Sequence, residues 1–371
     1  MKDKLGVLVV GQTPPPWGGQ AVIIQNLLDG DYDRIVLHHV RMEFSESLSQ
    51  ARKLAVGKIL HLFELIAKVL WARVRTRATV LYYPPSGPSR LPVFRDLVVL
   101  PAIRWAFPHT VFHFHAGGIS EHYITLSRPL RFLARRAYFH PDLAISSSDL
   151  NPPDAEFVRA ERTEIIPLGV ADHAGDGALH PHRGQGRPKI LFVGFLIESK
   201  GIFTLLDGAA ELHKRGLDFE VWLMGEFESD GLRDRFLAAA RDAGIADRVI
   251  HLGIRTGDAK FQTYADADIF CFPSHFDSET FGVVLLEAME FSLPVVTTRW
   301  RGIPSVVAED ETALLVPIKD GVALADALQR LLEDPALRDK LGEAGRARFL
   351  ERYEEKRFLR AMEQAFVDAA S

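Results

Sequence analysis

Short β-branched, apolar runs alternate with longer segments of helical period along nearly the whole chain. The pattern predicts strands at Leu5–Val10, Arg34–Leu37, Thr79–Tyr83, Thr110–His115, Asp142–Ile145 and Thr163–Ile166. A second series follows at Lys189–Val193, Phe219–Leu223, Arg248–His251, Asp268–Phe272, Pro294–Thr297 and Ala313–Val316. Helical patterns fill most of the intervals, including Gly201–Arg215, Gly231–Ala243 and Gly282–Phe291. Strands alternating with helices are βαβ units, and these build parallel sheets. Two such series predict an α/β chain with two facing, doubly wound, Rossmann-like domains. Between them "GVADHAGDGALHPHRGQGRPK" (Gly169 to Lys189) has no period and is rich in Gly, His and Pro, as a linker is. The expected division is a first domain over 1–170, a linker over 171–188, a second domain over 189–345 and a helical segment over 346–371 able to pack back on the first domain. In open α/β sheets ligands lie beyond the carboxyl ends of the strands, so the chemistry is sought in the loops that follow them.

Composition narrows the class. A chain of 371 residues, 47% hydrophobic and 25% charged, is a globular protein long enough for two cores. Its lone cysteine, Cys271, sits in an apolar run and rules out an internal disulfide framework. The opening "MKDKLGVLVVGQTPPPW" reads as a first strand rather than a signal peptide, and a cytoplasmic location is expected. Net charge is −5, which argues against a nucleic-acid binder, yet it is uneven. Residues 1–180 hold 20 Lys+Arg against 17 Asp+Glu (+3), and the remainder 24 against 32 (−8).

The second series carries the chemistry. In "SHFDSETFGVVLLEAMEFSLPVV" an acidic loop precedes a short apolar helix, with Glu279 before Gly282 and Glu287 in the second turn. Free N–H groups of a first helical turn, with the helix dipole, suit a phosphate. An ionised Glu287 could accept a pair of ribose hydroxyls, and Glu279 hydroxyls of a sugar beyond the phosphates. In "FVGFLIESKGIFTLLDGAAEL" a strand runs through Gly194 to Lys200 at the head of a helix, where an ammonium could neutralise a departing diphosphate. "WLMGEF" adds a strand-end glycine, Gly225, at the same edge.

These segments together resemble the retaining glycosyltransferases of GT-B architecture, most closely glycosyltransferase family 4 (glycosyl transferases group 1). "ETFGVVLLEAM" resembles that family's E-x7-E motif, and "VGFLIESKG" its diphosphate-binding strand–loop–helix. "TPPPWGGQAVIIQNLL" resembles the first loop of its N-terminal domain, and "IIPLGVA" the strand that ends that domain. The resemblance implies that Glu287 holds the ribose, Glu279 the transferred sugar, and Lys200 the diphosphate. The backbone around Phe281, Gly282 and Val283 would meet sugar and diphosphate. Gly18 and Gly19 would let the first loop approach the diphosphate, and His115 would point toward sugar or acceptor. Several positions depart from the family pattern. Phe195 stands where relatives have Arg, with Arg255 as a compensating base; Ser292 ends the helix in place of Gly; Arg301 and Ser305 replace Gly and Glu.

Other constellations carry less. His113 and His115 share a strand face, with His122 beyond, but no cysteine or carboxylate cluster joins them as metal ligands. Asp266-Ala-Asp268 has the D-x-D form but directly precedes a buried strand, where Asp caps turns. Neither G-x-G-x-x-G nor a P-loop is present, which disfavours nicotinamide enzymes and P-loop NTPases. "RKLAVGKILHLFELIAKVLWARVRTR" (Arg52 to Arg77) holds seven basic residues and one acid, with a polar stripe at Lys58, His61, Glu64 and Lys68. It reads either as a core helix with an exposed stripe or as a surface helix peripheral to an anionic membrane face. The resulting expectation is a retaining glycosyltransferase using a nucleotide sugar and a glycan or lipid-linked acceptor, with no metal or other cofactor, in glycan, polysaccharide or glycolipid synthesis. The alternatives are a GT-B sugar-nucleotide epimerase and a non-catalytic sugar-nucleotide-binding protein.

Overall fold

The computed structural model describes residues 4–42, 55–175 and 186–371, with side chains given from residue 60 in the second stretch. The centre of the expected linker (176–185), the first residues of the basic stretch (52–54) and the Lys58 side chain lie outside the described residues. The chain divides into two compact units, Met1–Gly169 with Glu355–Ser371, and Val170–Glu354.

The first unit carries β1 (Leu5–Gly11), β2 (Ile35–Arg41), β3 (Val80–Tyr83), β4 (His109–Phe114), β5 (Leu143–Ser146) and β6 (Arg162–Ile165). They form one parallel sheet in the order β2-β1-β3-β4-β5-β6. Its helices are α1 (Gly19–Asp29), α2 (Ala55–Thr76), α3 (Arg90–Ile103), α4 (Ile119–Tyr123), α5 (Arg128–Tyr138) and α6 (Asp154–Phe157). Val7 to Val10 are fully buried, as a strand covered on both faces must be. One buried acid organises the α3 side: Asp96 accepts from the Tyr83 hydroxyl (2.6 Å), Ser86 N (2.8 Å), Arg95 Nε (2.7 Å) and the Tyr138 hydroxyl (3.1 Å). A carboxylate with no exposure is tolerated because donors saturate it.

The second unit carries β7 (Lys189–Val193), β8 (Glu220–Met224), β9 (Val249–Gly253), β10 (Ile269–Phe272), β11 (Val295–Thr298) and β12 (Ala313–Val316). Its parallel sheet has the order β12-β11-β10-β7-β8-β9. The helices are α7 (Ile202–Lys214), α8 (Asp230–Asp242), α9 (Gly257–Asp266), α10 (Val283–Glu290), α11 (Ile303–Val306), α12 (Gly321–Glu333) and α13 (Pro335–Arg352). All twelve expected strands are present, and the α/β architecture read from the alternating pattern is the observed one. The helical pattern over Pro335–Ser371 is two helices, because the chain leaves helical geometry at Tyr353. The second, α14 (Glu355–Ala369), belongs to the first unit. There Glu363 accepts from Arg34 N at 2.7 Å, and Phe366 meets the Tyr82 ring edge-on at 5.7 Å.

At the end of α10, Ser292 takes the left-handed conformation (φ +54) usual for glycine. The helix end where Ser292 replaces the family's Gly thus has a left-handed cap built with a serine. Ser292 N reaches Met289 O (3.1 Å) and Leu293 N reaches Ala288 O (3.0 Å).

Candidate functional site

In the second sheet β7 lies between β8 and β10, so the chain winds outward from it in both directions. That switch point is where the loops after two neighbouring strands part and leave room for a ligand. The loop after β7 runs from Gly194 to Gly201, and the loop after β10 from Pro273 to Gly282. Every expected donor residue of this unit lies on them, on the strand-end turn at Gly225, or on α10.

Lys200 and Glu279, 79 positions apart, meet directly: Lys200 Nζ donates to Glu279 Oε2 at 2.6 Å. The ammonium lies over the Phe272 ring at 5.3 Å and the Phe276 ring at 4.8 Å, and both aromatic faces favour a cation. Glu279 is 7% exposed, and its Oε2 also accepts from Ser274 Oγ at 3.0 Å. The loop is braced from β11, where Thr297 Oγ1 bonds Phe272 O (2.7 Å) and Thr298 Oγ1 bonds Ser274 O (2.5 Å). Gly201 makes the two loops fit. Its φ is +84, and a Cβ there would sit 2.0 Å from Pro273 O, so only glycine admits this approach. Gly194 and Gly225 touch through their backbones at the same strand ends.

Gly282 precedes α10 with φ +82 and no side chain caps the first turn. Leu285 N turns back to Gly282 O (2.8 Å), while the N–H groups of Val283 and Val284 precede any intrahelical acceptor, which is the physical basis of anion binding at such a position. Phe281 turns its ring inward, edge-on to Tyr353 at 5.8 Å, and is 2% exposed; it offers the site its backbone. Val283, half-buried, opens the helix.

Glu287, 5% exposed, accepts from Tyr264 OH through Oε2 (2.6 Å) and from Lys260 Nζ through Oε1 (2.5 Å). Tyr264 is fixed by stacking on Phe291 (5.8 Å, 11°) and by Phe270. Burial, then the charge of Glu287, push its phenol well above the usual value, so it is a donor at any ordinary pH. One turn on, the buried Glu290 carboxylate accepts from His173 N (2.5 Å), Ala174 N (3.1 Å) and His173 Nδ1 (3.2 Å). That bond raises the His173 pKa, and burial raises that of Glu290. His173 also stacks on Phe261 at 3.6 Å. Lys260, Tyr264, Ser274 and His173 were not singled out from the sequence. The one signal was Lys260 and Tyr264 at i, i+4, hence on one face of a helix leading into β10.

The remaining expected residues lie elsewhere. Gly18 precedes α1 in extended geometry and Gly19 opens it, with open space where a Gly18 Cβ would stand. His115 directly follows β4, where its Nε2 and His113 Nδ1 each lie 3.0 Å from the Tyr82 hydroxyl. The two imidazole rings are 4.0 Å apart. Burial lowers both pKa values, His115 to about 3. Arg255 donates to Thr263 Oγ1 at 2.9 Å, an interaction within the β9–α9 region, and Phe195 is 45% exposed. Arg301 lies over the Trp300 ring, and Ser305 Oγ returns to Gly302 O (2.6 Å). Asp268 receives Lys189 N at 2.8 Å, bracing the strand start. Among the described residues no group of three or more His, Cys, Asp or Glu could hold a metal.

Residues 181–348 match the family model described as glycosyl transferases group 1. D-inositol 3-phosphate glycosyltransferase of Corynebacterium diphtheriae is 35% identical over 156 residues, 41% of this chain and 36% of that one. Phosphatidyl-myo-inositol mannosyltransferase of Mycobacterium leprae is 32% identical over 194 residues, 51% of this chain and 49% of that one. The matches thus span half or less of these curated relatives. Sucrose-phosphate synthase from Thermosynechococcus elongatus superposes with a TM-score of 0.72 at 20% identity, covering 99% of this chain and 100% of that one. The fold is therefore GT-B, and the second unit is a group 1 glycosyl transferase domain.

Proposed function

We propose, from the premise that residues 181–348 form a group 1 glycosyl transferase domain, that this chain moves a sugar from a nucleoside-diphosphate sugar to an acceptor hydroxyl with retention at the anomeric carbon. The observation that carries this reading is the meeting of Lys200 and Glu279 at the uncapped start of α10, with Glu287 one to two turns further on. The diphosphate would rest on the amides around Phe281, Gly282 and Val283. Lys200 would turn from Glu279 to the leaving oxygen as charge develops there, which stabilises the transition state electrostatically. Glu279, released, would accept sugar hydroxyls, and Glu287 the ribose diol. Charge on the leaving group is met in this way by the ammonium and the helix start, so the step needs no metal.

The first unit would serve the acceptor, with His115 neutral through the physiological range. Its α2 presents Leu60, Phe63, Trp71 and Val74 to solvent at helical spacing, opposite the buried Leu65 and Val69. Phe94 and Trp105, on and just after α3, and Phe132 on α5 are exposed as well, as are Arg128, Arg135 and Arg136 on α5. Apolar side chains among arginines suit an anionic membrane surface, and a glycan or lipid-linked acceptor. Among the described residues no helix is long and apolar enough to cross a membrane.

Calorimetry against common nucleotide sugars, followed by a product assay with the donor that binds, tests the reading. Glu287→Ala should weaken donor binding about tenfold or more, and Lys200→Met should cut turnover by about a hundredfold. Full donor affinity in the Glu287 variant would refute it.

A further inference from the structure

Lys260 compensates the buried Glu287 carboxylate, but from a place unfavourable to a cation. It stands in the first turn of α9, where the helix dipole disfavours a cation. Its ammonium meets a buried acid, and such a pair is a weaker source of stability than apolar packing of the same volume would be. Glu290, the other buried acid of α10, takes its donors from His173 and Ala174, and the Lys260 ammonium goes to Glu287. The neighbouring cation on α13, Arg346, is committed to Asp172 through two bonds of 2.8 and 2.6 Å.

The geometry also makes Lys260 the gatekeeper of Glu287. Of the two partners of that carboxylate, Tyr264 is fully buried, whereas the Lys260 side chain is 21% exposed. Of the two partners, the ammonium is therefore the one open to a ligand arriving from solvent. An ionised carboxylate has about four acceptor positions, of which Tyr264 and Lys260 take two. An ammonium has three donors, of which Glu287 takes one. What remains is a pair of acceptors beside a pair of donors. A ribose cis-diol has the complementary set, since each hydroxyl donates once and also accepts.

We propose that Lys260 is a second ribose-binding residue, which together with Glu287 selects ribonucleotide over 2′-deoxyribonucleotide donors. The proposal rests on the reading of Glu287 as the ribose acid. It adds that a donor group, as well as the acid, reads the 2′-hydroxyl. Removing that hydroxyl leaves a charged pair partly unsatisfied in a buried place, which discriminates more strongly than any loss of contact area.

The test measures binding of UDP, GDP and ADP, each beside its 2′-deoxy counterpart, to the full chain and to Lys260→Met, Lys260→Arg and Glu287→Ala. The wild type should favour the ribose form by about tenfold or more. Lys260→Met should lower that ratio at least about threefold, while Lys260→Arg keeps it; a bare Glu287 weakens anion binding to both sugar forms alike, so the ratio and not the absolute affinity is the readout. Lys260→Gln serves in place of the methionine variant if melting curves show the latter unfolded. A wild-type ratio in Lys260→Met, with the ratio abolished in Glu287→Ala, overturns the role of Lys260 and leaves the ribose acid standing. A ratio that survives Glu287→Ala overturns the donor-site reading itself.

Discussion

Acidification should loosen the first unit specifically around β3 and β4. His113 has no exposure and His115 stands at the strand end, both joined to the Tyr82 hydroxyl. Both bases are held neutral, with folded pKa values below the ordinary 6.5 and that of His115 at about 3. The unfolded chain therefore binds more protons than the folded one below pH 6.5. A depressed base contributes stability that is whole above its unfolded value and is lost as pH falls toward its folded value. At about pH 5 the loss is about 2 kcal/mol for His113, from 1.36 kcal/mol per unit over about 1.5 units. His115 adds roughly half as much, because solvent reaches the strand end. Hydrogen exchange of peptides spanning Val80–Tyr83 and His109–Phe114 reads this locally. Protection should fall by about a hundredfold between about pH 7.5 and pH 5, after correction for intrinsic rates. His113→Phe keeps ring volume and leaves Tyr82 its bond to His115, so most of the decline should vanish. Protection that falls equally in both proteins would refute the reasoning.

Two backbone positions give further tests. Ser292→Gly should stabilise the second unit by roughly 0.5–1 kcal/mol, because it relieves a left-handed serine; a higher urea midpoint by fluorescence checks it. Gly201→Ala should cost at least about 2 kcal/mol and weaken nucleotide binding, since its Cβ meets Pro273 O. A calorimetric melt together with a donor titration checks that pair of effects.

The strands were legible because parallel strands covered on both faces are written as unbroken β-branched runs. The end of β2 was less so. The expected Arg34–Leu37 extends to Arg41, past His38 and His39, because Gly11 at the end of β1 pairs with Arg41. That pairing belongs to the sheet and leaves no apolar mark. At the site, E-x7-E and the lysine before Gly201 could be found as local patterns. What surrounds Glu287 could not. Lys260 and Tyr264 come from another helix, and a tyrosine bonding a buried acid looks in sequence like any core aromatic. His173 was hidden in a stretch that read as linker, where only the fold shows that it reaches Glu290.

Each acid near the front of α10 has a resident ammonium, Lys200 for Glu279 and Lys260 for Glu287. Two bare carboxylates would repel an incoming pyrophosphate well before contact. Paired as they are, their field cancels within about one Debye length, roughly 8 Å at physiological ionic strength. The front of α10 thus presents little net charge from these two acids to an approaching anion. Encounter with a charged donor then depends little on salt, and the lysines become available only once the guest is close enough to compete for them.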